Sequence, residues 1–344
     1  MVIIRNLRLV VCCATVLLAV IPKALAVEDT VVVATAQHGV WESAAAELGW
    51  QAGIFKKHGL LLKFLFTRDS IETEERVISG SADVGLAVNA MHVMRSYAYG
   101  APLRIIGAQR AGSTNYWYVP KSSPIKSIED MDGKTVAYES NGSSSHYDAI
   151  DFMRKYGLKA KLILTGGANS TFAHVKAGIV DIGWGAPPFG VDKIALGDIR
   201  VIARANDVPS IRNKTTSVMI TNAETLQKRK RVLARFLLAY RESVEWIYSD
   251  PAALPRYAEL ADVSERVARE LRDEFFPKEM LLPSRIIGLN AIVKDAIILR
   301  YLQKVLSRGQ IRNLIPIAAP TLVERVLCVF ISAECSMALI AVAH

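Results

Sequence analysis

The chain has 344 residues, of which 51% are hydrophobic, 22% charged and 8% aromatic. This composition excludes a disordered or wholly membrane-embedded protein and allows about two domains of ordinary size. Lys and Arg outnumber Asp and Glu by 42 to 33, a charge of +9; residues 1–26 hold Arg5, Arg8 and Lys23 and no acid, so the remainder carries 39 against 33, or +6. The excess is scattered. Its densest run, Lys228-Arg229-Lys230-Arg231, falls in an amphipathic helix and reads as a solvated face, so no nucleic-acid partner is expected. The four cysteines, Cys12, Cys13, Cys328 and Cys335, lie at the two ends. A cysteine-free body excludes a disulfide framework, a zinc–thiolate site, an iron–sulfur cluster and a cysteine nucleophile there, and no cofactor or metal is expected.

The N-terminus reads as an export signal. Arg5 and Arg8 precede an apolar stretch from Leu9 to Ile21, too short to span a bilayer, and Ala24-Leu25-Ala26 is a small-x-small cleavage site. The mature chain is expected to start at Val27 and to work outside the cytoplasm, which in a Gram-negative cell is the periplasm.

The body then alternates strands and helices. Thr30–Ala36 is a buried strand, followed by a helix with Trp41, Ala44, Ala45, Leu48, Ala52 and Phe55 on one face. Strands are expected at Leu61–Thr67, Asp83–Val88 and Leu103–Ala108, with helices at about Ile71–Ile78 and Ala90–Tyr99. The plan repeats: strands Lys134–Glu139, Ala160–Thr165, Asp181–Trp184 and Ile199–Arg204, with helices Ser144–Tyr156, Ser170–Lys176 and Pro188–Ala195. Val77-x-x-Gly80-x-x-Asp83-x-Gly85 recurs as Val175-x-x-Gly178-x-x-Asp181-x-Gly183, an offset of 98. Each first Gly is expected to end a helix in the left-handed region, and each Asp to cap its turn. After Thr215–Thr221 the chain is helix-rich, at about Ala223–Ser249, Pro251–Ala261, Ser264–Phe275 and Ser284–Val305. This pattern predicts two lobes, each a mostly parallel sheet flanked by helices. The segments Ser113–Pro120 and Thr215–Thr221 are the expected crossings. Lobe 1 is then 27–114 with 220–310, lobe 2 is 115–219, and 311–344 is an atypical apolar extension.

These features resemble the periplasmic solute-binding proteins of ABC importers, and within them the nitrate/sulfonate/taurine group, whose domain is also called THI5/NMT1-like. The resemblance covers about residues 28–305. It is carried by Gly53-Ile54-Phe55-Lys56-Lys57-His58-Gly59-Leu60, Ser79-Gly80-Ser81-Ala82-Asp83-Val84-Gly85, Ile128-Glu129-Asp130-Met131-Asp132-Gly133-Lys134-Thr135-Val136, Ala177-Gly178-Ile179-Val180-Asp181-Ile182-Gly183-Trp184 and the segment from Ser217 to Tyr240. It implies a two-lobed periplasmic-binding-protein-like fold of type II, a small-molecule ligand in the interlobe cleft, and hinge closure on binding. It also implies a monomer that delivers its solute to a membrane permease and, through it, to an ATPase. The alternative on the same fold is a biosynthetic enzyme like those of the THI5 or menaquinone pathways. The cysteine-rich motif of the thiamine-precursor enzymes has no counterpart in this cysteine-free body.

Ligands of open α/β sheets sit beyond the carboxyl ends of the strands. The expected ligand-binding residues are therefore Gln37, His38, Trp41, Asn89, Asn141, Gly142, Ser143, Ser144, Ser145, Trp184 and Ala186. The Gly/Ser loop at 141–145 opens a helix and offers free N–H groups and hydroxyls, which suits an anion such as a sulfonate or carboxylate. Trp41 could contact an organic ligand or belong to the core, and Trp184 could stack on a ligand or wall the cleft. Asn89 could bind ligand or cap its helix. His38 has the chemistry of an acid or base, but no second group is spaced to pair with it, so binding without turnover is expected.

Overall fold

The computed structural model describes residues 28–316, apart from Gln37, Gly142 and residues 282–284. The expected signal peptide and residues 317–344 lie outside the described residues. Among the described residues ten strands occur in chain order: β1 Asp29–Ala36, β2 Leu60–Thr67, β3 Val84–Asn89, β4 Leu103–Ala111, β5 Tyr116–Pro120, β6 Thr135–Tyr138, β7 Lys161–Leu164, β8 Gly183–Gly185, β9 Ile199–Arg204 and β10 Thr215–Asn222. The first sheet has the order β2-β1-β3-β10-β4, in which β1 pairs parallel with β2 and β3, and β10 pairs antiparallel with β3 and β4. In the second lobe β6 and β7 pair parallel, and β5 lies antiparallel between β8 and β9. A parallel bridge from Val136 to Ile182 joins the two groups. Both lobes thus have one plan, in which the inserted antiparallel strand is the one that has just arrived from the other lobe. The fold is α/β, as the strand–helix alternation predicts, but its sheets are mixed rather than mostly parallel, because each lobe takes in one antiparallel strand.

The repeat is visible atom by atom. Asp83 accepts the Val32 amide across to β1 (2.8 Å), and Asp181 accepts both the amide (2.8 Å) and the hydroxyl (2.6 Å) of Thr135 across to β6. Each aspartate therefore ties the start of one strand to its neighbour, and neither reaches a cleft. Gly80 and Gly178 sit at φ 77° and 69°, in the left-handed region expected of them. The second glycine of each motif has a different reason. A Cβ on Gly85 would lie 2.9 Å from Ile220 and Val77 side-chain atoms, and one on Gly183 only 2.5 Å from the Tyr118 ring. A further correspondence at the same offset escapes the sequence pattern: Thr67 and Thr73 hydroxyls meet at 2.6 Å, and so do those of Thr165 and Thr171. Each buried pair fastens the end of a strand to the helix that follows.

The late helices differ from expectation in instructive ways. The span 223–249 is two helices, Ala223–Lys228 and Lys230–Ser249. They break at Arg229, which leaves the solvated face, pairs with Asp83 and donates to the Thr30 carbonyl (2.6 Å). The helix expected over 284–305 is confined to Leu289–Ile298 and is followed by Arg300 at φ 58°. The helix expected at Pro188–Ala195 begins at Val191 and runs to Leu196, after the left-handed Gly190. Thr215–Met219, assigned from sequence to lobe 2, belongs to β10 in the first sheet. The fold also extends past residue 311. A helix at Arg308–Leu314 opens with a Ser307/Gln310 capping box, and Leu314 and Ile315 are buried in the first lobe's second core with Leu103 and Ile105.

Candidate functional site

The chain passes between lobes at Gly112–Asn115 and again just before Thr215. The two passages lie side by side, with the Gly112 amide donating to the Lys214 carbonyl (2.9 Å). Gly112 has φ 73°, and a Cβ there would meet Asn206, whose side-chain oxygen accepts the Ser113 amide (2.9 Å). Against this hinge, between the two sheets, lies a cavity of about 210 Å³. Its first-lobe wall comes from Glu42, Ala87, Asn89, Arg110 and Ser217, and its second-lobe wall from Ser144, Tyr147, Asp148 and Asp151, with Lys214 at the hinge. These are the strand ends where the fold predicts a ligand.

Three devices hold the first-lobe wall. Ala87 adopts φ 57°, a conformation that a residue with a Cβ takes at a cost. This kink within β3 aims its amide at Gln109 (2.7 Å), whose carboxamide N–H₂ donates in turn to the Glu42 carbonyl (2.7 Å). Glu42 and Arg110 form an ion pair at 3.1 Å. On the hinge, Lys214 pairs with Asp295 (2.6 Å) from the first-lobe side and approaches Asp151 (3.9 Å) on the second-lobe helix Ser144–Tyr156. Burial raises the Asp151 carboxyl, and Lys214 and Arg154 oppose that rise. One helical turn earlier, Asp148 is fully enclosed. It accepts from the Ser113 hydroxyl (2.6 Å) and the Asn115 amide (2.9 Å), and burial nonetheless pushes its pKa up to about 6. Acids and bases alternate around the cavity, so a ligand there meets paired charges of both signs.

The structure separates the expected site residues into groups. Asn89 and Ser144 line the cavity. Asn89 also caps the helix Ala90–Ala98 through the Met91 amide (2.9 Å), so its capping reading holds. The serine loop divides its labour: Ser143 caps the helix by accepting the His146 amide (3.3 Å), Ser145 is buried and accepts the Glu139 amide (2.9 Å), and Ser144 accepts from Asn115 (3.0 Å). A hydroxyl that accepts keeps its proton to donate. Asn141 is exposed and accepts from the Tyr138 hydroxyl (2.8 Å). Trp41 belongs to the core. It is buried, packs on Tyr257 at 4.3 Å between centroids, and donates to the Tyr248 hydroxyl (3.2 Å). Trp184 is likewise buried, opposite Trp117 on β5, and donates to the Gly166 carbonyl (3.2 Å). Ala186 packs partly buried on the second-lobe core. Gln37 and Gly142 lie outside the described residues.

His38 is not isolated, contrary to the sequence reading. Its Nδ1 lies 2.5 Å from Glu47, a buried carboxylate in the helix Trp41–Gln51. Sequence reasoning missed this pair because Glu47 falls off the apolar stripe and so reads as solvated. The helix is covered on nearly every side, with Ser43 through Gly49 all buried. Sequence reasoning also missed Arg110, Asp148 and Lys214, single charged residues whose convergence depends on the hinge. Among the described residues, no group of three His, Cys, Asp or Glu side chains is arranged to hold a metal, and no helix is long and apolar enough to cross a membrane.

Two lobes of one topology around a hinge-side cleft define a periplasmic-binding-protein-like fold, which supports solute binding. Residues 43–254 match the model of the NMT1/THI5-like family, and the chain belongs to that family. A curated relative, the 4-amino-5-hydroxymethyl-2-methylpyrimidine phosphate synthase of Uromyces fabae, is 22% identical over 217 residues, 58% of this chain. The chain spans about three-fifths of that relative's length (61%). The fold is similar to that of the periplasmic aliphatic sulphonate binding protein SsuA from Escherichia coli, with a TM-score of 0.68, 19% identity and coverage of 83% of this chain and 91% of SsuA. It is also similar to the desulfurization enzyme DSZB, with a TM-score of 0.64, 14% identity and coverage of 87% and 99%. The fold thus serves both binding proteins and enzymes.

Proposed function

We propose that this protein is the extracytoplasmic solute-binding component of an ABC importer, exported by cleavage near Ala26 and acting as a monomer. It closes two lobes, 27–114 with the residues from 215 onward and 115–214 between the crossings, on a small organic solute with an anionic group. The observation that carries the reading is the cavity at the facing strand ends, built around a hinge of two adjacent crossings. The sulphonate-binding protein of the same fold supports it. The N-terminus of the thirteen-residue helix Ser144–Tyr156, with Ser144 turned to the cavity, suits the anionic end. Arg110 and Lys214 supply cations, and the acids beside them favour a solute that also donates hydrogen bonds. The closed complex then meets a membrane permease, and through it an ATPase, to which the solute passes.

A thermal-shift screen of sulfonates, carboxylates, nitrate and pyrimidines tests this. A solute at one hundred times its dissociation constant stabilises by about 3 kcal/mol. No stabilisation by any member of these classes would refute the reading. The synthase relative favours a second reading, an enzyme on the same fold. Incubation of the protein with its best ligand separates the two, since a transport component returns the ligand unchanged and an enzyme yields a product.

A further inference from the structure

Five rings run in a row from one lobe to the other. On the second lobe, Tyr138 at the end of β6 stacks on His146 at 4.4 Å between centroids, and His146 lies 5.8 Å from Tyr147. Tyr147 then meets Tyr301 of the first lobe at 6.4 Å and 67°, and Tyr301 stands edge-on to His92 at 5.0 Å. Burial lowers both histidines, aided at His92 by the Arg95 charge, so the row carries no charge at neutral pH. It crosses between the lobes at the cavity, which Tyr147 and Tyr301 both line together with Met91, Ile150, Ile298 and Leu299. Tyr147 shares a face of the helix Ser144–Tyr156 with Ser144, Asp148 and Asp151. Tyr301 is placed by the turn that ends the helix Leu289–Ile298. Arg300 takes φ 58°, the Leu302 amide donates to the Ala296 carbonyl (2.9 Å), and the Leu302 side chain is buried in the first lobe's second core. Among the described residues three other than glycine take a positive φ; two of them, Ala87 and Arg300, serve this one cavity. Such conformations cost energy and persist where the surroundings impose them, as at ligand clamps. The Tyr301 hydroxyl is pushed up to about 12 by burial first, then by Tyr147 through its charge and a hydrogen bond.

We propose that Tyr147 and Tyr301 are specificity-determining residues: they meet from opposite lobes across the interlobe cavity and close on the flat body of the solute, so that the site takes an aryl anion in preference to an alkyl or inorganic one. The proposal rests on the solute-binding reading and deepens it. A cavity of about 210 Å³ lies below the roughly 300–1,000 Å³ of a drug-sized site, so its occupant is small. When the lobes part, the contact between the two rings is lost. When they close on a solute, each ring needs a new partner, and an aromatic ring is met best by another in an edge-on or offset arrangement. A solute with a ring supplies that partner to both tyrosines. A short alkyl chain supplies apolar area but no ring, and nitrate supplies neither. The charges around the cavity are paired with one another, Glu42 with Arg110 and Lys214 with Asp295, so they hold the anionic end and leave the body of the solute to the rings.

Calorimetric titration of benzenesulfonate, ethanesulfonate, benzoate, acetate and nitrate tests the proposal on the unmodified protein, Tyr147→Leu, Tyr301→Leu and Tyr301→Phe. Leucine keeps apolar bulk and removes the ring, whereas phenylalanine keeps the ring and removes only the hydroxyl; the melting temperature of each variant reports its fold. The wild type should bind each aryl anion at least tenfold more tightly than its alkyl counterpart, and nitrate more weakly still. Each leucine variant should cut that preference at least fivefold by weakening the aryl anions, with the alkyl anions changed less than twofold. Tyr301→Phe should keep the preference. A wild type that binds these anions without favouring the aryl members would overturn the proposal and leave the solute reading standing. So would leucine variants that keep the preference or weaken all anions alike, since the rings would then only join the lobes, and so would a Tyr301→Phe that loses it. A wild type that binds none of the five would overturn the anionic-solute reading, and the role of the two rings with it.

Discussion

Asp148 offers the sharpest test of the cleft's electrostatics. Its carboxyl rises from an ordinary value of 3.8 to about 6, with burial as the dominant cause and the Ser113 and Asn115 hydrogen bonds opposing it. A raised carboxylate holds its proton more tightly in the folded chain than in the unfolded one. Below about pH 4 both states are protonated and nothing is lost. Between about pH 4 and 6 the unfolded chain ionises first, so stability falls as pH rises. Above about pH 6 the deficit is constant, at about 3 kcal/mol for a rise of this size. Asp148→Asn stays neutral throughout and escapes the deficit. Its carboxamide oxygen can take the place of the one carboxylate oxygen that accepts from both Ser113 and Asn115, so both hydrogen bonds are kept. The variant should therefore match the parent at pH 4 and be more stable by about 3 kcal/mol at pH 7. Urea unfolding of both proteins at pH 4, 5, 6 and 7 measures the difference. Parallel curves across that range would show that the carboxyl is ionised in the folded state near its ordinary pH, and the account of the cavity wall would fail.

Four other substitutions test the packing and the cleft. Ser143→Ala should lower stability by about 1 kcal/mol through the lost cap with solute affinity unchanged, whereas Ser144→Ala should weaken the best solute about tenfold at unchanged stability; calorimetry and melting curves read the two, and an inverted pattern would move the anion site off Ser144. Gly183→Ala should cost about 1–3 kcal/mol by forcing a Cβ against the Tyr118 ring, measured by chemical denaturation, and a neutral result would contradict the close packing of β8 on β5. Arg229→Gln should cost about 1–2 kcal/mol by leaving Asp83 and the Thr30 carbonyl short of a charged donor, measured by urea unfolding, and a neutral result would show that these contacts do not hold the helix break.

Much of the fold was legible because it is local. Period-two and period-3.6 patterning, helix-ending glycines and a repeated Val-x-x-Gly-x-x-Asp-x-Gly unit depend on neighbours a few residues away, and the sequence by itself determined two copies of one α/β plan and the place of the crossings. What it could not decide was the destination of individual side chains. Trp41 is equally plausible as cleft wall or core until the helices Lys230–Ser249 and Ala253–Leu260 close over it, and Trp184, expected at the cleft, is instead buried opposite Trp117 on β5. Arg229 reads as solvated until Asp83, 146 residues away in sequence, comes within reach and breaks the helix around it. Glu47 reads as polar surface until its helix is covered on every side, and only then does it become the partner of His38. The charges of Arg110, Asp148 and Lys214 carry no motif, because their relation exists only across the hinge. Patterning records how often a residue meets the core, and tertiary packing decides which partner a buried charge finds. A functional cleft is made of such partners.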